Sequence, residues 1–277
     1  MTRLLNLQPS PGLSRLLHVV PFLLLLLAYG MASNARLADN PQDRLLPSFA
    51  TMGDAVVRLA TEPDRRSGDY LLWTDTFASL ERLAIGVGTG ALGGLLIGVL
   101  AGLLPVARAP VSPLLAAVSM VPPLALLPIL FIVVGMEEAS RIVLIAIGVG
   151  PFIARDLEGR IGEIPAETLI KAQTLGAGTW RTLWRVVLPQ ILPRLLDAVR
   201  LSLGTAWLFL IAAEAIAATE GLGYRIFLMR RYLAMDVILP YVAWITVLAW
   251  FMDFALRRAN DALFPWMALE RRTGTAP

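Results

Sequence analysis

The sequence predicts an all-α polytopic membrane protein with six transmembrane helices, and three observations lead to this fold class. Hydrophobic residues make up 57% of the 277 residues and charged residues only 16%, whereas soluble domains carry about a quarter charged residues. The apolar residues fall into long runs, and a run of about 20 can cross the hydrocarbon core as a helix. One charged segment between two runs, 155–193, is much longer than a hairpin needs.

The composition also excludes several kinds of chemistry. The chain has no cysteine and one histidine, His18, which excludes disulfides, thiolate metal sites and multi-histidine metal sites. The sequence contains no G-x-x-x-x-G-K-S/T phosphate loop and offers no nucleophile–base pair. We therefore expect no catalysis and no ATP or Mg on this chain. Its basic residues form no stripe with interleaved aromatics, so we expect no nucleic-acid partner.

The apolar runs define the six spans. The fourth run is short, and its helix is expected to gain residues on the N-terminal side from Glu138 onward. The predicted spans cover residues 16–31, 83–104, 113–135, 142–154, 195–218 and 237–256. The first run could instead be a cleaved signal peptide, because Arg3 and Arg15 precede it and small residues follow at 32–35.

The placement of arginines predicts that both termini lie on the cytoplasmic side of the membrane. The cytoplasmic segments would be 1–15, 105–112, 155–194 and 257–277. When one long external segment is left out of the count, these segments hold most of the arginines. That external segment, 32–82, counts little because long translocated loops escape the positive-inside rule.

The external segment has an amphipathic helix of its own. Ser48 is a good helix cap, and Phe49, Met52, Val56 and Leu59 follow on one face. We expect this helix to lie along the membrane surface. The predicted organisation is thus an N-terminal part (1–82), a transmembrane core (83–267) that contains the inner segment 155–193, and a short tail (268–277).

The second span carries a series of glycines spaced by four residues. They are Gly86, Gly90, Gly94, Gly98 and Gly102. Small residues at this spacing allow another backbone to approach closely. The series favours tight packing inside one bundle, while a subunit interface or a sliding helix remains the alternative.

The third span contains Pro122, Pro123 and Pro128, which predict a kink because proline removes a backbone donor and clashes with the preceding turn. A broken backbone at membrane depth must be satisfied by protein or by a water-filled cavity. Ser119, Met120, Pro122 and Pro123 are therefore candidates to line a translocation path, unless the kink is purely structural.

Two residues of the fifth span also stand out. Glu214 is an ionisable group inside an apolar run, and such groups usually face an interior or a cavity. A hydrogen-bonding role at an outer gate is favoured over substrate contact. Trp207, near the middle of the span, is a further candidate to line the path.

The segment 155–193 is predicted to form two short helices on the inner face. Pro165 suits a helix start, and Trp180, Leu183, Trp184 and Val187 have the spacing of one apolar stripe. The Leu-Pro pairs at 188–189 and 192–193 are expected to end the second helix. Such a stripe suits docking into a groove of a partner or lying on lipid, and periodicity does not separate these two.

Several motifs resemble the permeases of ABC importers. The stretch 172–189, with Gly176 followed after a fixed gap by Val186, Leu188 and Pro189, is similar to their cytoplasmic "EAA" loop. Four further stretches resemble the nitrate/sulfonate/taurine branch of this family. They are 121–128, 213–224, 256–266 and the lead-in 46–48 to the external helix. The resemblance covers residues 45–267.

This resemblance implies a type I importer permease in the bacterial inner membrane, with two permease copies, an ATPase dimer below and a solute-binding protein outside. Gly176 would form the turn, and Ala172 and Leu175 would contact the ATPase. The wider coupling set is Ala172, Leu175, Gly176, Ala177, Trp180, Trp184, Leu188 and Pro189. Ile170 and Lys171 stand where the pattern usually has Glu and Ala, which puts one ion pair with the ATPase in doubt.

Two other classes are less consistent with the sequence. An ion-driven secondary transporter predicts midplane charge pairs and inverted repeats, which are not evident. A membrane scaffold without transport leaves the prolines of the third span and the long inner segment unexplained. The solute would be a small polar compound such as a sulfonate, nitrate or a small nitrogen compound.

Overall fold

The computed structural model describes residues 10–41, 43–65 and 67–266, and within these ranges the chain is helical and contains no strand. Expectations that concern Arg3, the arginines at 271–272 and the tail 268–277 lie outside the described residues. The helices are α1 (Pro11–Asp39), α2 (Phe49–Thr61), α3 (Leu71–Leu103), α4 (Pro105–Ser119), α5 (Leu127–Val133), α6 (Glu138–Gly162), α7 (Ala166–Thr174), α8 (Thr179–Thr182), α9 (Leu188–Ala217), α10 (Leu222–Arg230) and α11 (Met235–Leu263).

Length and apolar composition identify four helical stretches that can cross a membrane. They are Gly12–Asp39, Leu71–Leu103, Thr179–Ala217 and Met235–Leu263. The bent pair α4–α5 would make a fifth. The predicted fourth span, α6, is 25 residues long, but charged residues at both ends leave it only a short apolar centre. The count of six therefore stays a prediction.

The chain divides into two compact units, of which the first comprises the described part of residues 1–70 and Met229–Pro240. In this unit the Tyr29 hydroxyl donates to the Pro47 carbonyl at 2.7 Å, and its ring packs on Phe49 with centroids 5.2 Å apart. The predicted capped helix is confirmed as α2, because the Thr51 amide donates to the Ser48 hydroxyl at 3.1 Å.

The second unit comprises Leu71–Leu228 and the described part of residues 241–277. Its core is the packing of α3 on α6. A Cβ added at Gly90 would lie 2.6 Å from the Val149 side chain, and one added at Gly98 would lie 2.7 Å from the Ala154 carbonyl oxygen. Gly86, Gly94 and Gly102 meet Ile145, Ile153 and Ile161 in the same way. The glycine series thus faces a neighbouring helix of the same chain.

The predicted kink in the third span is confirmed. Helices α4 and α5 meet at 86° across a short break. A 3₁₀ turn, Pro123–Leu126, fills the break with Pro122 as its cap. Proline disfavours the helical conformation of the residue before it, and Pro122 is itself extended, with a ψ of 117°. The consecutive prolines therefore favour a break between α4 and the next segment at this point.

The predicted start of the second span was wrong. Helix α3 begins at Leu71 rather than Leu83, so the division at residue 82 falls inside a helix. Asp75 and Arg82 fall in the segment 32–82 that was expected to be external, but both are buried in the structure. Their partners Glu214 and Arg225 lie far along the chain and make the charged turns of α3 stable.

Candidate functional site

The segment 155–193 folds as two short helices around a glycine turn. Helix α7 begins directly after Pro165 and ends at Thr174 with Leu175 as its cap, and Gly176 follows with a φ of +78°. The Gly176 amide donates to Gln173 and the Ala177 amide to Ala172, each at 2.9 Å. This pair of bonds is a Schellman motif, which places a glycine in the left-handed region. The predicted turn at Gly176 is therefore confirmed.

The surface of this segment exposes large apolar side chains. Leu175 is 87% exposed, Trp180 68% and Trp184 56%. The two indole rings pack edge to face with centroids 5.6 Å apart. Ala172 and Ala177 are half-buried beside them. We call Leu175, Trp180 and Trp184 the apolar loop patch.

The single stripe predicted for the second short helix was wrong. Val187 is fully buried and Leu183 is half-buried, whereas Trp180 and Trp184 face outward. A π turn covers Leu183–Val187 and is closed by a bond from the Leu188 amide to the Leu183 carbonyl. The wider turn changes the helical period from Leu183 onward, so Val187 does not keep the α-helical spacing from Trp180 on which the predicted stripe depended.

The same π turn corrects the expectation that the Leu-Pro pairs end the helix. Helical structure continues from Thr179 through the prolines to Ala217. Leu188 and Pro189 are half-buried in the first turn of α9. A proline at the first turn of a helical segment costs little because its missing amide has no partner there.

A cleft of about 750 Å³ opens between the 3₁₀ turn, α6 and α9. Two of the predicted path residues, Ser119 and Pro123, line it together with Thr205, Phe209 and Arg155. Met120 is exposed outside its lining, as is Pro122. Arg155 was not singled out from the sequence, and it forms no ion pair within the part of the chain that the structure describes.

Trp207 does not line this cleft. Its side chain is buried, and its indole N–H has no hydrogen-bond partner among residues 10–41, 43–65 and 67–266. The neighbouring Phe209 lines the cleft instead and lies against Gly148. The expectation that Trp207 contacts the path is therefore not supported by its position in this chain.

Glu214 lies at the other end of α9, inside a polar network. Its carboxylate accepts from the Ser79 hydroxyl at 2.8 Å, from Arg82 at 2.9 Å and from the Gly223 amide at 2.8 Å. Arg82 also donates twice to Glu138, at 2.5 and 2.8 Å. Glu214 is fully buried and Arg82 nearly so. Glu214 thus has the contacts of a structural hydrogen-bonding group.

A second acid, Asp75, extends this network. It accepts from Arg225 at 2.7 Å, from the Tyr241 hydroxyl at 3.0 Å and from the Gly221 amide at 2.9 Å. Ser79 accepts from the Leu222 amide at 2.8 Å. Three consecutive amides of the turn 221–223 are therefore held by side chains of α3 and α9. We call Asp75, Ser79, Arg82, Glu138, Glu214 and Arg225 the polar network.

The sequence interpretation missed most of this network, although one signal was present. Asp75, Ser79 and Arg82 are spaced by four and three residues, and Gly86 follows at four. They therefore share one face of a helix with the glycine series. Gly221 fits the same arrangement, since its φ is +122° and an added Cβ would lie 2.5 Å from the Glu214 carboxylate.

Comparison with known proteins relates this architecture to transport. A chain of the MetNI methionine ABC transporter, in inward-facing conformations, superimposes with a TM-score of 0.62 at 24% identity, over 72% of this chain and 99% of that chain. A second crystal form gives a TM-score of 0.57 at 26% identity, over 69% and 96%. These similarities support the type I importer permease fold.

Sequence relatives agree with the structural similarity. The taurine transport system permease protein TauC of Escherichia coli is 36% identical over 198 residues, 72% of each chain. The aliphatic sulfonates permease SsuC of Bacillus subtilis is 32% identical over 68% of each chain, and the bicarbonate permease CmpB of Synechococcus elongatus 33% over 58% of each. The pattern of one family matches residues 94–269. The chain belongs to the family of binding-protein-dependent transport system inner membrane components, the permease subunits of ABC importers.

Proposed function

We propose that this permease carries a small polar solute of the sulfonate, taurine, nitrate or bicarbonate type, or a small nitrogen compound, and that a separate ATPase dimer drives it. Relatives named for taurine, aliphatic sulfonates and bicarbonate support the solute class. The observation that carries the proposal is the apolar loop patch, because it is exposed on a loop that resembles the ATPase-docking element of the family.

The patch has the properties of a docking surface. Exposed apolar clusters mark interaction sites, and tryptophans are frequent among the residues that dominate binding energy. ATP and Mg would then be bound by the partner ATPase. The remaining members of the coupling set, Ala172, Gly176 and Ala177, would shape the surface, while Leu188 and Pro189 would join it to α9.

The continuous helical stretch Thr179–Ala217 offers a way to transmit movement. Its 39 residues span about 58 Å at 1.5 Å per residue. One end carries Trp180 and Trp184, and the other end carries Glu214. Closure of the ATPase pair would pull the loop, and the stretch would pass this displacement to the turn 221–223. Alternating access follows if that turn forms part of the outer gate.

The cleft between the 3₁₀ turn, α6 and α9 is the proposed inner part of the path. The hydroxyls of Ser119 and Thr205, the guanidinium of Arg155 and the carboxylate of Asp156 lie along an otherwise largely apolar wall, and Asp156 forms its ion pair with Arg160. An arginine that lacks an acidic partner suits an anionic group such as a sulfonate, because its planar fork can bind two oxygens. Hydroxyls would complete the coordination.

The assembly proposed around this chain contains a second copy of the permease, an external solute-binding protein and the lipid bilayer. Both termini would lie on the ATPase side. The arginine-rich segments 155–194 and 257–266, which fall at one end of their helices, support this orientation.

The proposal is tested with the permease co-expressed with its ATPase and reconstituted in liposomes together with the binding protein. Leu175→Asp places a charge in the centre of the apolar patch and should weaken ATPase binding about 30-fold, as expected for a residue that dominates an interface. Gln173→Asp is the matched control, since it adds the same charge at an exposed position on another face of α7. Co-purification and uptake of radiolabelled taurine are measured.

The two parts of the proposal can fail separately. If no ATPase co-purifies with the native chain, or if Leu175→Asp binds it as well as Gln173→Asp does, the ATPase-docking role is wrong. If the ATPase binds but neither taurine, other sulfonates, nitrate nor bicarbonate is taken up, the solute class is wrong.

A further inference from the structure

A second cleft, of about 420 Å³, gathers four arginines from three helices. Arg160 comes from α6, Arg194 and Arg200 come from α9, and Arg257 comes from α11. Asp156 and Asp197 also line the cleft. The lining therefore carries twice as many cationic as anionic side chains.

Most of the charged groups around this cleft already pair with one another. The pairs are Arg160 with Asp156 (3.7 Å) and with Glu163 (3.2 Å), Arg200 with Asp197 (3.5 Å) and with Asp253 (2.9 Å), and Arg257 with Asp253 (2.8 Å). Arg194 differs, because it is half-buried and forms no ion pair within the described part of the chain. A partly buried guanidinium without a counter-charge is costly, which indicates that an anion from outside the chain completes the site.

The position of the cleft relative to the membrane indicates the source of that anion. Arg194 directly precedes the apolar run at 195–218, and Arg257 directly follows the run at 237–256. Both therefore lie where the helices leave the hydrocarbon core, at the level of the lipid headgroups. Leu201 lies seven residues beyond Arg194, about two helical turns into the bilayer, next to Arg200; it lines the same cleft and is 68% exposed. The cleft thus offers cationic groups for a headgroup and an exposed leucine for the start of a phospholipid's chain.

We propose that this cleft binds the phosphate of an anionic phospholipid, with Arg194 as its principal contact and Leu201 beside the acyl chain. Basic pockets between transmembrane helices are suited to anionic headgroups. A guanidinium offers two parallel donors to phosphate oxygens. The inference does not depend on the transported solute.

The test uses the full chain in detergent, titrated with phosphatidylglycerol and followed by native mass spectrometry. Arg194→Gln should lower the affinity for the tightest-bound lipid about fivefold, which corresponds to one basic residue near the membrane surface. Arg194→Lys keeps the charge and should retain most of the binding. Arg258→Gln is the matched control, because it removes one charge next to Arg257 but does not line the cleft.

Each other outcome would overturn the proposal. Equal loss in Arg194→Gln and Arg258→Gln would mean that binding follows net charge and not this cleft. Displacement of the bound phosphatidylglycerol by inorganic phosphate would identify a site for small anions. Release of the lipid on addition of the co-purifying ATPase would identify a protein interface. Thermal unfolding of each variant separates lost binding from lost folding.

Discussion

The two ends of helix α9 differ in whether the charged and apolar side chains around them find partners within the chain. At the Glu214 end, acids and arginines are buried and paired with each other or with backbone amides. At the loop end, Leu175, Trp180 and Trp184 are exposed, and two arginines, 155 and 194, form no ion pair among the described residues. The two ends thus contrast a self-contained structure with one that is suited to partners.

This contrast has an energetic meaning. Buried polar groups are stable only when each has a partner, so the Glu214 end is specified by the sequence of this chain alone. Exposed apolar side chains mark interaction sites, and a partly buried cation without a counter-charge is stabilised when a partner supplies one. Substitutions at the Glu214 end should therefore change stability, whereas substitutions at the loop end should change association.

The largest effect is expected for Arg82→Met. The substitution leaves Glu214 buried without its cation, and breaking a buried pair in this way costs about 3–5 kcal/mol. Unfolding free energy measured by denaturant titration in detergent should fall by this amount. Arg82→Met combined with Glu214→Gln should recover part of the loss, because the uncompensated charge is then removed.

Arg108→Met is the matched control. Arg108 is half-exposed and pairs with Glu158 at 3.3 Å, and exposed ion pairs contribute less than about 1 kcal/mol. If Arg82→Met were no more destabilising than this control, the polar network would not hold the Glu214 end together, and the contrast between the two ends would be lost.

The sequence predicted the features that depend on local chemistry. The cap at Ser48, the kink at Pro122–Pro123 and the turn at Gly176 each follow from the conformational preference of one or two residues, and all three are confirmed. The length of the apolar runs supplied the all-α membrane fold class and the positions of the spans, although not the start of α3. Family resemblance supplied the type I importer permease fold.

Features that depend on distant contacts could not be predicted in this way. Asp75 and Arg225 are 150 positions apart, so neither residue alone indicates that the other neutralises it. The π turn at Leu183–Val187 has no clear signal in composition, yet it shifts the helical period between Trp180 and Val187. The expectation for Trp207 came from its place near the middle of the fifth span, and that place alone does not say which neighbouring helix covers the side chain.

A smaller effect is expected inside the bundle for Gly90→Ala. The added methyl would lie 2.6 Å from the Val149 side chain and 3.0 Å from the Ala146 carbonyl oxygen, and overpacking of this kind costs about 1–3 kcal/mol. Gly93→Ala meets no atom within 4 Å and should be neutral or stabilising by up to about 1 kcal/mol. Denaturant titration of both variants makes the comparison. Equal stabilities of the two variants would mean that helices α3 and α6 lie further apart at Gly90 than they do in the structure.

The smallest effect on stability is expected for Gly176→Ala, and it should still impair association. Gly176 has a φ of +78°, where an alanine costs about 1–2 kcal/mol, and the strain acts on a short exposed turn whose opening leaves the bundle intact. The variant should keep the native unfolding midpoint but bind the ATPase about fivefold less well, since the strained turn no longer presents Leu175 in its native position. Gly178→Ala is the matched control, because Gly178 has a φ of −72° and, like Gly176, no atom near an added Cβ. Equal ATPase binding by the two variants would show that the turn geometry does not matter for docking, and a lowered midpoint in Gly176→Ala alone would show that the loop end contributes to the fold as the Glu214 end does.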